Sequence, residues 1–422
     1  MTGIKVDDIY NVIILGQENE GNGICKIEDF VVFIDGGLIG DKGDIIITEI
    51  HKNYGRGRFL NYDIYSKERI SPPCPYYGEC GGCDLQHQDY QAQLTFKQNK
   101  VSQTLEHIGG LKNNKIKKII SSEAYFYRNK VTLKIEGCKL GFHKNKSNTL
   151  IDINKCFLCD NKINIVIEKI REFIIKFPNN GINEVVIKYS LIKDEMIISL
   201  IGSQFKLEKQ FIEHIISNMT EIKTIVINNK IVYGSGFING ELLNLNYRIA
   251  SKTFFQVNSK QTLNLFNKIL EYGDLSNREI ALDLYCGTGI ISLLLAKSGK
   301  QVIGIEVIEE AISLANENAK LNKIQNVEFI LGKVENIIPT LLKQNIDVVI
   351  LDPPRGGSDN KTLDCIIKLS PKRIVYVSCN PVTLARDLKH LALYYNVIEV
   401  TPIDMFPQTK HVETVVLLNL KK

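Results

Sequence analysis

The segment Ile280-Ala281-Leu282-Asp283-Leu284-Tyr285-Cys286-Gly287-Thr288-Gly289 decides the fold of the C-terminal part of the chain. An apolar run enters a glycine loop here, which predicts a strand, a tight loop and then a helix from Ile290 to Lys297. A second predicted strand, Gln301 to Ile305, is followed by Glu306, an acidic residue 19 positions after Gly287. An acid at about this distance binds the ribose in nucleotide-binding βαβ units. The pattern therefore predicts a parallel α/β sheet with a nucleotide site, the alternative being a tight turn without a ligand.

Two further predicted strands are each followed by a residue with an ionisable side chain, a carboxyl in one case and a thiol in the other. Ile346 to Leu351 runs into Asp352-Pro353-Pro354-Arg355, a stiff turn that presents a carboxylate. Ile374 to Val377 runs into Ser378-Cys379-Asn380-Pro381, where the proline stops the strand. Open α/β sheets bind ligands at the carboxyl ends of their strands, so Asp352 and Cys379 are predicted to face one crevice. The alternative for a lone cysteine is inert core packing.

Residues 1–60 predict a small β-barrel at the N-terminus. Val12 to Leu15, Phe30 to Ile34 and Asp44 to Glu49 are strand-like runs, and glycine turns separate them. Regular short strands with such turns favour a barrel. A basic stretch with an interleaved tyrosine follows, made of Lys52, Tyr54, Arg56 and Arg58. Its composition suits RNA phosphates and bases, and the alternative is a solvated loop.

Three cysteines lie close together in one loop bounded by proline and glycine, namely Cys74, Cys80 and Cys83. Thiolates at this C-x5-C-x2-C spacing can converge on one metal centre. A fourth ligand is required, and Cys156 and Cys159 are the candidates. The Cys156/Cys159 pair fits zinc, whereas the tight triad with one distant cysteine fits a [4Fe–4S] cluster. The spacing leaves both metals open.

Residues 61–250 are predicted to form a central α+β domain. Asp89 to His107 has apolar residues near helical spacing, and residues 160–250 alternate a helix with several strands. In the segment from Tyr125 to Lys130, aromatic residues next to arginine and lysine could stack on RNA bases. The alternative for that segment is a sheet edge with core aromatics.

The overall composition is that of an ordinary globular protein, with 44% hydrophobic and 23% charged residues among 422. We expect neither a membrane span nor a secretory signal. The ten cysteines are therefore expected to stay reduced in the cytosol. The net charge of +5 permits an RNA partner without requiring one. We expect a cytoplasmic monomer.

Taken together, these segments resemble the S-adenosylmethionine-dependent RNA uracil-5-methyltransferase family. The resemblance rests on residues 282–289, on the turn that follows Leu351, on Ser378-Cys379-Asn380-Pro381, and on Met405-Phe406-Pro407 with Glu413. Phe254-Phe255-Gln256-Val257-Asn258 is similar to the family's entry to its methyltransferase domain. The resemblance implies a Rossmann-like class I methyltransferase domain at 251–422 and an RNA-binding TRAM barrel at 1–60.

The resemblance also implies a role for each candidate residue. Cys379 would be the nucleophile that adds to C6 of uracil, and Glu413 would be the base that removes the C5 proton. Four residues would line the pocket for S-adenosylmethionine: Gln256, Tyr285, Glu306 and Asp352. The cysteine loop is similar to the [4Fe–4S] site of the ribosomal-RNA members, with four thiolate ligands and Cys159 as an extra thiol: Cys74, Cys80, Cys83 and Cys156.

The expected substrate is a uridine in RNA, with 23S ribosomal RNA favoured and the T-loop of tRNA as the alternative. Asp-Pro-Pro-Arg also faintly resembles the turn of methyltransferases that act on exocyclic amines, which need no cysteine nucleophile. A non-enzymatic, RNA-binding iron–sulfur protein is the alternative from another class. The joint presence of Cys379, Glu306 and Glu413 argues against it.

Overall fold

The computed structural model describes residues 3–112, 116–145, 147–178, 180–203, 205–217 and 219–421. These residues form one six-stranded sheet, two seven-stranded sheets and a two-stranded hairpin. No helix within these ranges has both the length and the apolar character needed to cross a membrane.

The N-terminal unit is a strongly curved six-stranded sheet with the order β1-β5-β6-β4-β3-β2. Its strands are β1 (Ile9–Ile13), β2 (Gly16–Gln17), β3 (Gly23–Ile27), β4 (Phe30–Asp35), β5 (Lys42–Ile50) and β6 (Tyr54–Phe59). Alternate residues point inward and bury a small aliphatic core that includes Val32, Ile34, Ile45 and Ile47. Strand β1 also contacts β3, which brings the sheet toward closure. The predicted N-terminal barrel is thereby confirmed.

A long helix, α1 (Tyr90–His107), follows the cysteine loop. Asp89 caps it by accepting a hydrogen bond from the backbone N–H of Gln91 at 2.9 Å. Its apolar residues Leu94, Val101 and Leu105 are buried.

The central unit is a mixed sheet with two helices on one face. It comprises β7 (Lys130–Glu136), β8 (Lys139–His143), β9 (Leu150–Asp152), α2 (Asn161–Lys176), β10 (Ile182–Ser190), β11 (Glu195–Gly202), α3 (Glu208–Ile216), β12 (Ile222–Ile227) and β13 (Lys230–Gly234). The strand order is β13-β12-β11-β10-β7-β8-β9, with β11 and β12 parallel and the other pairs antiparallel. Phe173 of α2 and Phe211 of α3 meet edge to face at 5.1 Å in the core between the helices and the sheet.

A hairpin and a helix lead into the C-terminal sheet. They are β14 (Phe237–Leu242), β15 (Leu245–Ala250) and α4 (Ser259–Gly273). Asn258 caps α4 through a 3.2 Å hydrogen bond from the backbone N–H of Gln261. The apolar face of α4, including Leu265 and Ile269, packs into the same core as the C-terminal sheet.

The C-terminal unit is a seven-stranded sheet covered on both faces. Its elements are β16 (Ile280–Leu284), α5 (Ile290–Ala296), β17 (Gln301–Glu306), α6 (Glu309–Leu321), β18 (Val327–Leu331), α7 (Val334–Ile337), β19 (Val348–Leu351), α8 (Asn360–Leu369), β20 (Arg373–Ser378), α9 (Pro381–Leu391), β21 (Tyr395–Ile403) and β22 (Glu413–Leu420). The order is β18-β17-β16-β19-β20-β22-β21, and only β22 runs antiparallel to both of its neighbours. This is the predicted parallel α/β sheet, with its topological switch between β16 and β19.

Helix α1 packs against the C-terminal sheet although it lies in the range assigned to the central domain. Leu94, Val101 and Leu105 share an aliphatic core with Leu388 of α9 and Val400 of β21. The C-terminal core is therefore completed by a helix from the first quarter of the chain.

Candidate active site

The carboxyl ends of four adjacent parallel strands meet at one edge of the C-terminal sheet. Tyr285 follows β16, Glu306 ends β17, Asp352 follows β19 and Cys379 follows β20. Strand β22 runs in the opposite direction, so its first residue, Glu413, lies at the same edge. The topology thus brings five of the predicted site residues to one crevice.

Cys379 and Glu413 are neighbours across two antiparallel strands. Ser378 pairs with Thr414, and the next positions outward on the two strands are Cys379 and Glu413. The charge of Glu413 contributes to the raised pKa of Cys379. The structure therefore brings the predicted nucleophile and the predicted base together.

The carboxyl group of Glu413 lies in a desolvated position. Its side chain is buried, and burial together with the neighbouring Asp352 raises its pKa to about 8, against the opposing charge of Arg355. Burial also raises the pKa of Asp352 to about 7. A carboxyl whose pKa is raised toward the working pH is a stronger base than an ordinary carboxylate, and its charged fraction increases as the pH rises through that pKa.

The surroundings of Cys379 favour the protonated thiol over the thiolate. Burial and the charge of Glu413 raise its pKa to about 11, and Asp352 adds to the shift. Its ionisation becomes easier when Glu413 carries a proton or when a cation enters the crevice, because both changes remove negative charge from its surroundings.

Arg355 is a cation close to both Cys379 and Glu413. Its exposed guanidinium opposes the upward pKa shifts of Cys379 and Glu413. Its carbonyl accepts hydrogen bonds from Nδ2 of Asn380 at 3.2 Å and from Oγ1 of Thr383 at 3.3 Å. These bonds hold the Asp-Pro-Pro-Arg turn against the start of α9. Its motif was visible in the sequence, but its position beside the thiol was not.

The glycine loop after β16 is tied to Glu306. The Glu306 carboxylate accepts a hydrogen bond from the backbone N–H of Gly287 at 3.1 Å and others from Val307 and Ile308 at 2.8 and 2.9 Å. Tyr285 has a φ of 63°, a left-handed conformation that turns the chain sharply into this loop. The close pairing of acid and loop is the arrangement expected of a ribose site.

Gly289 permits the close packing beneath this loop. Its φ is 77°, and a Cβ there would lie 2.5 Å from the ring of Phe329 and 2.9 Å from Cβ of Ala315. Any larger residue would push the loop away from α6 and β18.

Asp283, near the end of β16, has one unused buried oxygen. Oδ2 accepts a 2.5 Å hydrogen bond from Ser292, whereas Oδ1 is buried with no partner among the described residues. Burial raises the pKa of this carboxyl to about 7. An orphaned acceptor beside the glycine loop fits a cofactor that brings a donor or a positive charge. Asp283 is therefore a candidate site residue in addition to those predicted from the sequence.

Gln256 lies half-buried in the segment between β15 and α4, and the backbone on both sides of it is held. The ammonium of Lys188 donates to the carbonyl of Thr253 at 2.7 Å, and the N–H of Asn129 donates to the carbonyl of Val257 at 2.9 Å. The central sheet therefore positions the segment that enters the methyltransferase domain.

The segment that precedes Glu413 is held by buried polar side chains of α1. Nε2 of Gln93 donates to Oε1 of Gln408 at 2.9 Å, and Oε1 of Gln93 accepts from the N–H of Gln408 at 3.1 Å. The ammonium of Lys97 donates to the carbonyl of Phe406 at 3.0 Å. These positioning residues could not be predicted from the sequence, because polar side chains on a helix normally indicate a solvated face.

Four cysteines line one cavity beside the central sheet: Cys74, Cys80, Cys83 and Cys156. Burial raises the pKa of Cys83 to about 12 and also raises those of Cys74 and Cys80, with repulsion from Cys156 adding to all three. Nε2 of Gln86 donates to the Cys83 sulfur at 3.1 Å. Even so, the described part of the chain contains no group of three histidine, cysteine or acidic side chains that could hold a metal ion.

Cys159 is fully buried behind this cavity and touches Cys156. Its thiol donates a hydrogen bond to the Cys156 sulfur, which lowers the pKa of Cys156. Cys156 thus lines the cavity together with the three loop cysteines. Cys159 does not line the cavity and is hydrogen-bonded to Cys156.

Comparison with known proteins decides the family. Residues 89–421 match the family model described as tRNA (Uracil-5-)-methyltransferase, and residues 5–60 match the TRAM domain. The chain belongs to the RNA (uracil-5-)-methyltransferase family. An RNA methyltransferase of Clostridium tetani is 38% identical to this family member over 98% of this chain and 97% of its own length. One of Staphylococcus aureus is 36% identical over the full length of both chains.

A solved structure shows the same architecture over nearly the whole chain. It is the tRNA (uracil-54, C5)-methyltransferase of Pyrococcus abyssi in complex with S-adenosyl-L-homocysteine. The match has a TM-score of 0.78 and 28% sequence identity, and it covers 97% of this chain and 99% of the other. This methyltransferase is an S-adenosylmethionine-dependent enzyme that acts on RNA, as the sequence predicted.

Proposed function

We propose that this methyltransferase modifies C5 of a uridine through a covalent adduct between the Cys379 sulfur and C6 of the base. The observation that carries this proposal is the adjacency of Cys379 and Glu413 at the carboxyl edge of the sheet. A nucleophilic thiol and a buried carboxyl with a pKa of about 8 are the two groups that C5 substitution of uracil requires.

Each step uses one of these residues. The Cys379 thiolate adds to C6, and the electrons of the C5–C6 double bond move to O4 to give an enolate. C5 of this enolate would then attack the methyl carbon of the donor, whose carbon–sulfur bond breaks and leaves its electron pair on the sulfur, while the C4 carbonyl re-forms. The Glu413 carboxylate removes the C5 proton, the double bond re-forms, and the sulfur leaves C6 as a thiolate. Arg355 lies where its positive charge favours the thiolate at the start and the end of the cycle.

S-adenosylmethionine supplies an electrophilic methyl group when it is bound. Glu306 would accept hydrogen bonds from its ribose hydroxyls, and Tyr285 and Gln256 would line the same pocket. Asp352 would contact the cofactor or the uracil. The chain offers two features that fit the cofactor: a glycine loop fixed to Glu306, and the orphaned Oδ1 of Asp283.

Two variants test the covalent step, because they fail at different points. Cys379→Ala should give neither 5-methyluridine nor a covalent complex. Glu413→Gln should complete methyl transfer and then keep the C5 proton, so that an enzyme–RNA adduct survives denaturing electrophoresis and carries label from the methyl donor. Turnover should fall about 10²–10⁴-fold in Glu413→Gln. Near-normal methylation by Cys379→Ala would contradict the mechanism.

We propose ribosomal RNA as the substrate, with tRNA as the second candidate. The resemblance of the cysteine loop and the barrel to the ribosomal-RNA members supports the first. The likeness to a tRNA (uracil-54, C5)-methyltransferase over 97% of the chain supports the second. Mass mapping of 5-methyluridine in ribosomal RNA and tRNA from a deletion strain distinguishes them, because the mark should disappear from one RNA class only.

We also propose that the four cysteines facing one cavity hold a [4Fe–4S] cluster. A single zinc ion needs its sulfur ligands at about 2.3 Å from one point. Four thiols around one largely apolar cavity are compatible with a larger centre, to which each thiolate binds a different iron.

A further inference from the structure

We propose that Tyr65 is the outer end of a stacking platform for an unpaired base of the RNA substrate. This site deepens the proposed function by naming a second place where the enzyme holds single-stranded RNA. It lies beyond the basic stretch from Lys52 to Arg58 and outside the methyl-transfer site.

Three aromatic rings form a continuous column after the last strand of the barrel. The rings of Phe59 and Tyr62 are 4.3 Å apart at 26°, and those of Tyr62 and Tyr65 are 4.8 Å apart at 22°. Phe59 and Tyr62 are partly buried, whereas Tyr65 is 63% exposed. The column thus ends at the surface on a ring whose inner face is covered and whose remaining surface is open to a further flat ring.

The loop that carries the column is fixed to the barrel. The N–H groups of Asp63 and Ile64 donate to the carbonyl of Lys42 at 2.8 and 3.1 Å, and the N–H of Lys42 donates back to Ile64 at 2.9 Å. The N–H of Ser66 donates to Oδ1 of Asp41, which is fully buried, at 2.8 Å. Tyr65 is therefore held in place before any ligand arrives, and a base that stacks on it orders little of the protein.

A guanidinium reinforces the column from the side. Cζ of Arg69 lies 5.0 Å from the centroid of the Tyr62 ring. Arg69 is itself held by Asp41, with Nη2 at 2.5 Å from Oδ2 and Nε at 3.2 Å from Oδ1. The Tyr62 ring thus contacts two aromatic rings and a cation that is itself held in place by Asp41.

A basin of about 840 Å³ is lined both by Tyr62 of the column and by Arg355, the cation beside the Cys379 thiol. Arg56, Arg69 and His411 also line it. Arg355 is close enough to Cys379 to affect the pKa of the thiol. An RNA strand that leaves the crevice along this basin reaches the column.

The chemistry of the site selects an unpaired base. Arginines attract the phosphates along the path, and the terminal tyrosine offers a π-face that every base can cover. A base pair inside a helix has both faces covered by its neighbours, so only a looped-out or single-stranded base can extend the column.

The test measures binding of a short single-stranded RNA that carries 2-aminopurine, by fluorescence titration at several salt concentrations. Tyr65→Ala should weaken binding roughly five- to a hundredfold, the range of one lost base–aromatic stack. Tyr65→Phe keeps the ring and should bind within about twofold of wild type. The matched control is Tyr394→Ala, which removes a tyrosine that is 50% exposed just after α9.

The salt dependence of RNA binding distinguishes a stacking contact from a contact with phosphate. Tyr65→Ala should leave the slope of log K against log salt unchanged, because no phosphate contact is lost, whereas Arg56→Gln should reduce it. Wild-type affinity in Tyr65→Ala, a loss no larger than in Tyr394→Ala, or a changed slope overturns the proposal. Formation of 5-methyluridine by the wild-type enzyme is measured in parallel: its absence would overturn the proposed function, whatever Tyr65→Ala does.

Discussion

The ammonium of Lys97 lies 2.6 Å from Oδ1 of Asp404, and neither side chain is exposed. The hydroxyl of Tyr90 donates to the other oxygen of Asp404 at 2.8 Å, so both carboxylate oxygens are used. This ion pair joins α1 to the segment between β21 and β22. It fixes the start of the loop that ends at Glu413.

Loss of the lysine should destabilise the protein strongly. Lys97→Met leaves the Asp404 carboxylate buried without its counter-charge, which typically costs about 3–5 kcal/mol. Urea unfolding monitored by circular dichroism measures the change. The control is Lys209→Met, which breaks an exposed pair with Glu213 and should cost at most about 1 kcal/mol. Equal unfolding midpoints for the two variants would contradict the role given to Lys97.

Activity should rise with pH through about 8. Burial and the neighbouring Asp352 raise the pKa of Glu413 to about 8, and only the carboxylate can accept the C5 proton. The high pKa of Cys379 works in the same direction, because the thiolate is the nucleophile. Measurement of kcat/KM for wild type across this range tests the expectation. A rate that is constant from about pH 6 to about 9 would rule out Glu413 as the titrating base.

The buried Glu413 carboxyl should make the folded protein less stable as the pH rises, although activity increases over the same range. A carboxyl whose pKa rises on folding contributes its full stability below its ordinary pKa and loses it as the pH rises through the folded value. For Glu413 that interval runs from its ordinary value of 4.5 to about 8. Glu413→Gln has no charge to bury, so its melting temperature should exceed that of wild type by a larger margin at pH 8 than at pH 5. A constant difference would contradict the assigned burial cost.

Cys156 and Cys159 should differ in their effect on the cysteine centre. Cys156 lines the cavity with the three loop cysteines, whereas Cys159 is buried behind it. Cys156→Ala should therefore lose iron and sulfide from anaerobically purified protein, and Cys159→Ala should keep both. Wild-type protein should contain about four irons per chain. A stoichiometry of one zinc without sulfide would refute the cluster.

The strands of the C-terminal sheet could be predicted because their sequence is nearly continuous in apolar residues. Both faces of β16 are covered, and the strand begins at Ile280 and precedes the glycine loop, as predicted. The β14–β15 hairpin was missed for a local reason. Its two-residue turn places Leu243 and Asn244 at φ values of 50° and 57°, and the usual Asn-Gly or Asp-Gly signal is absent.

Only part of the candidate site could be predicted from the sequence. Cys379 and Asp352 follow parallel strands and Glu306 ends one, so the direction of the chain places all three at the same edge of the sheet. Lys97 and Gln93 could not be assigned, because their partners lie 307 and 315 residues away and nothing local distinguishes them from solvated helix positions. The electrostatic influence of Arg355 on the thiol likewise depends on distances that only the folded chain defines.

The position of α1 in the C-terminal core also constrains how the protein is made. The ribosome releases α1 early, yet the side chain that Tyr90 bonds is synthesised 314 residues later. Until β21 emerges, the buried stripe of Leu94, Val101 and Leu105 has no native surface to cover it. Such long-range closure is slow and leaves an aggregation-prone surface exposed in the nascent chain. Synthesis at low temperature or with added chaperones should therefore raise the soluble yield, and separately expressed halves should each lack a complete core.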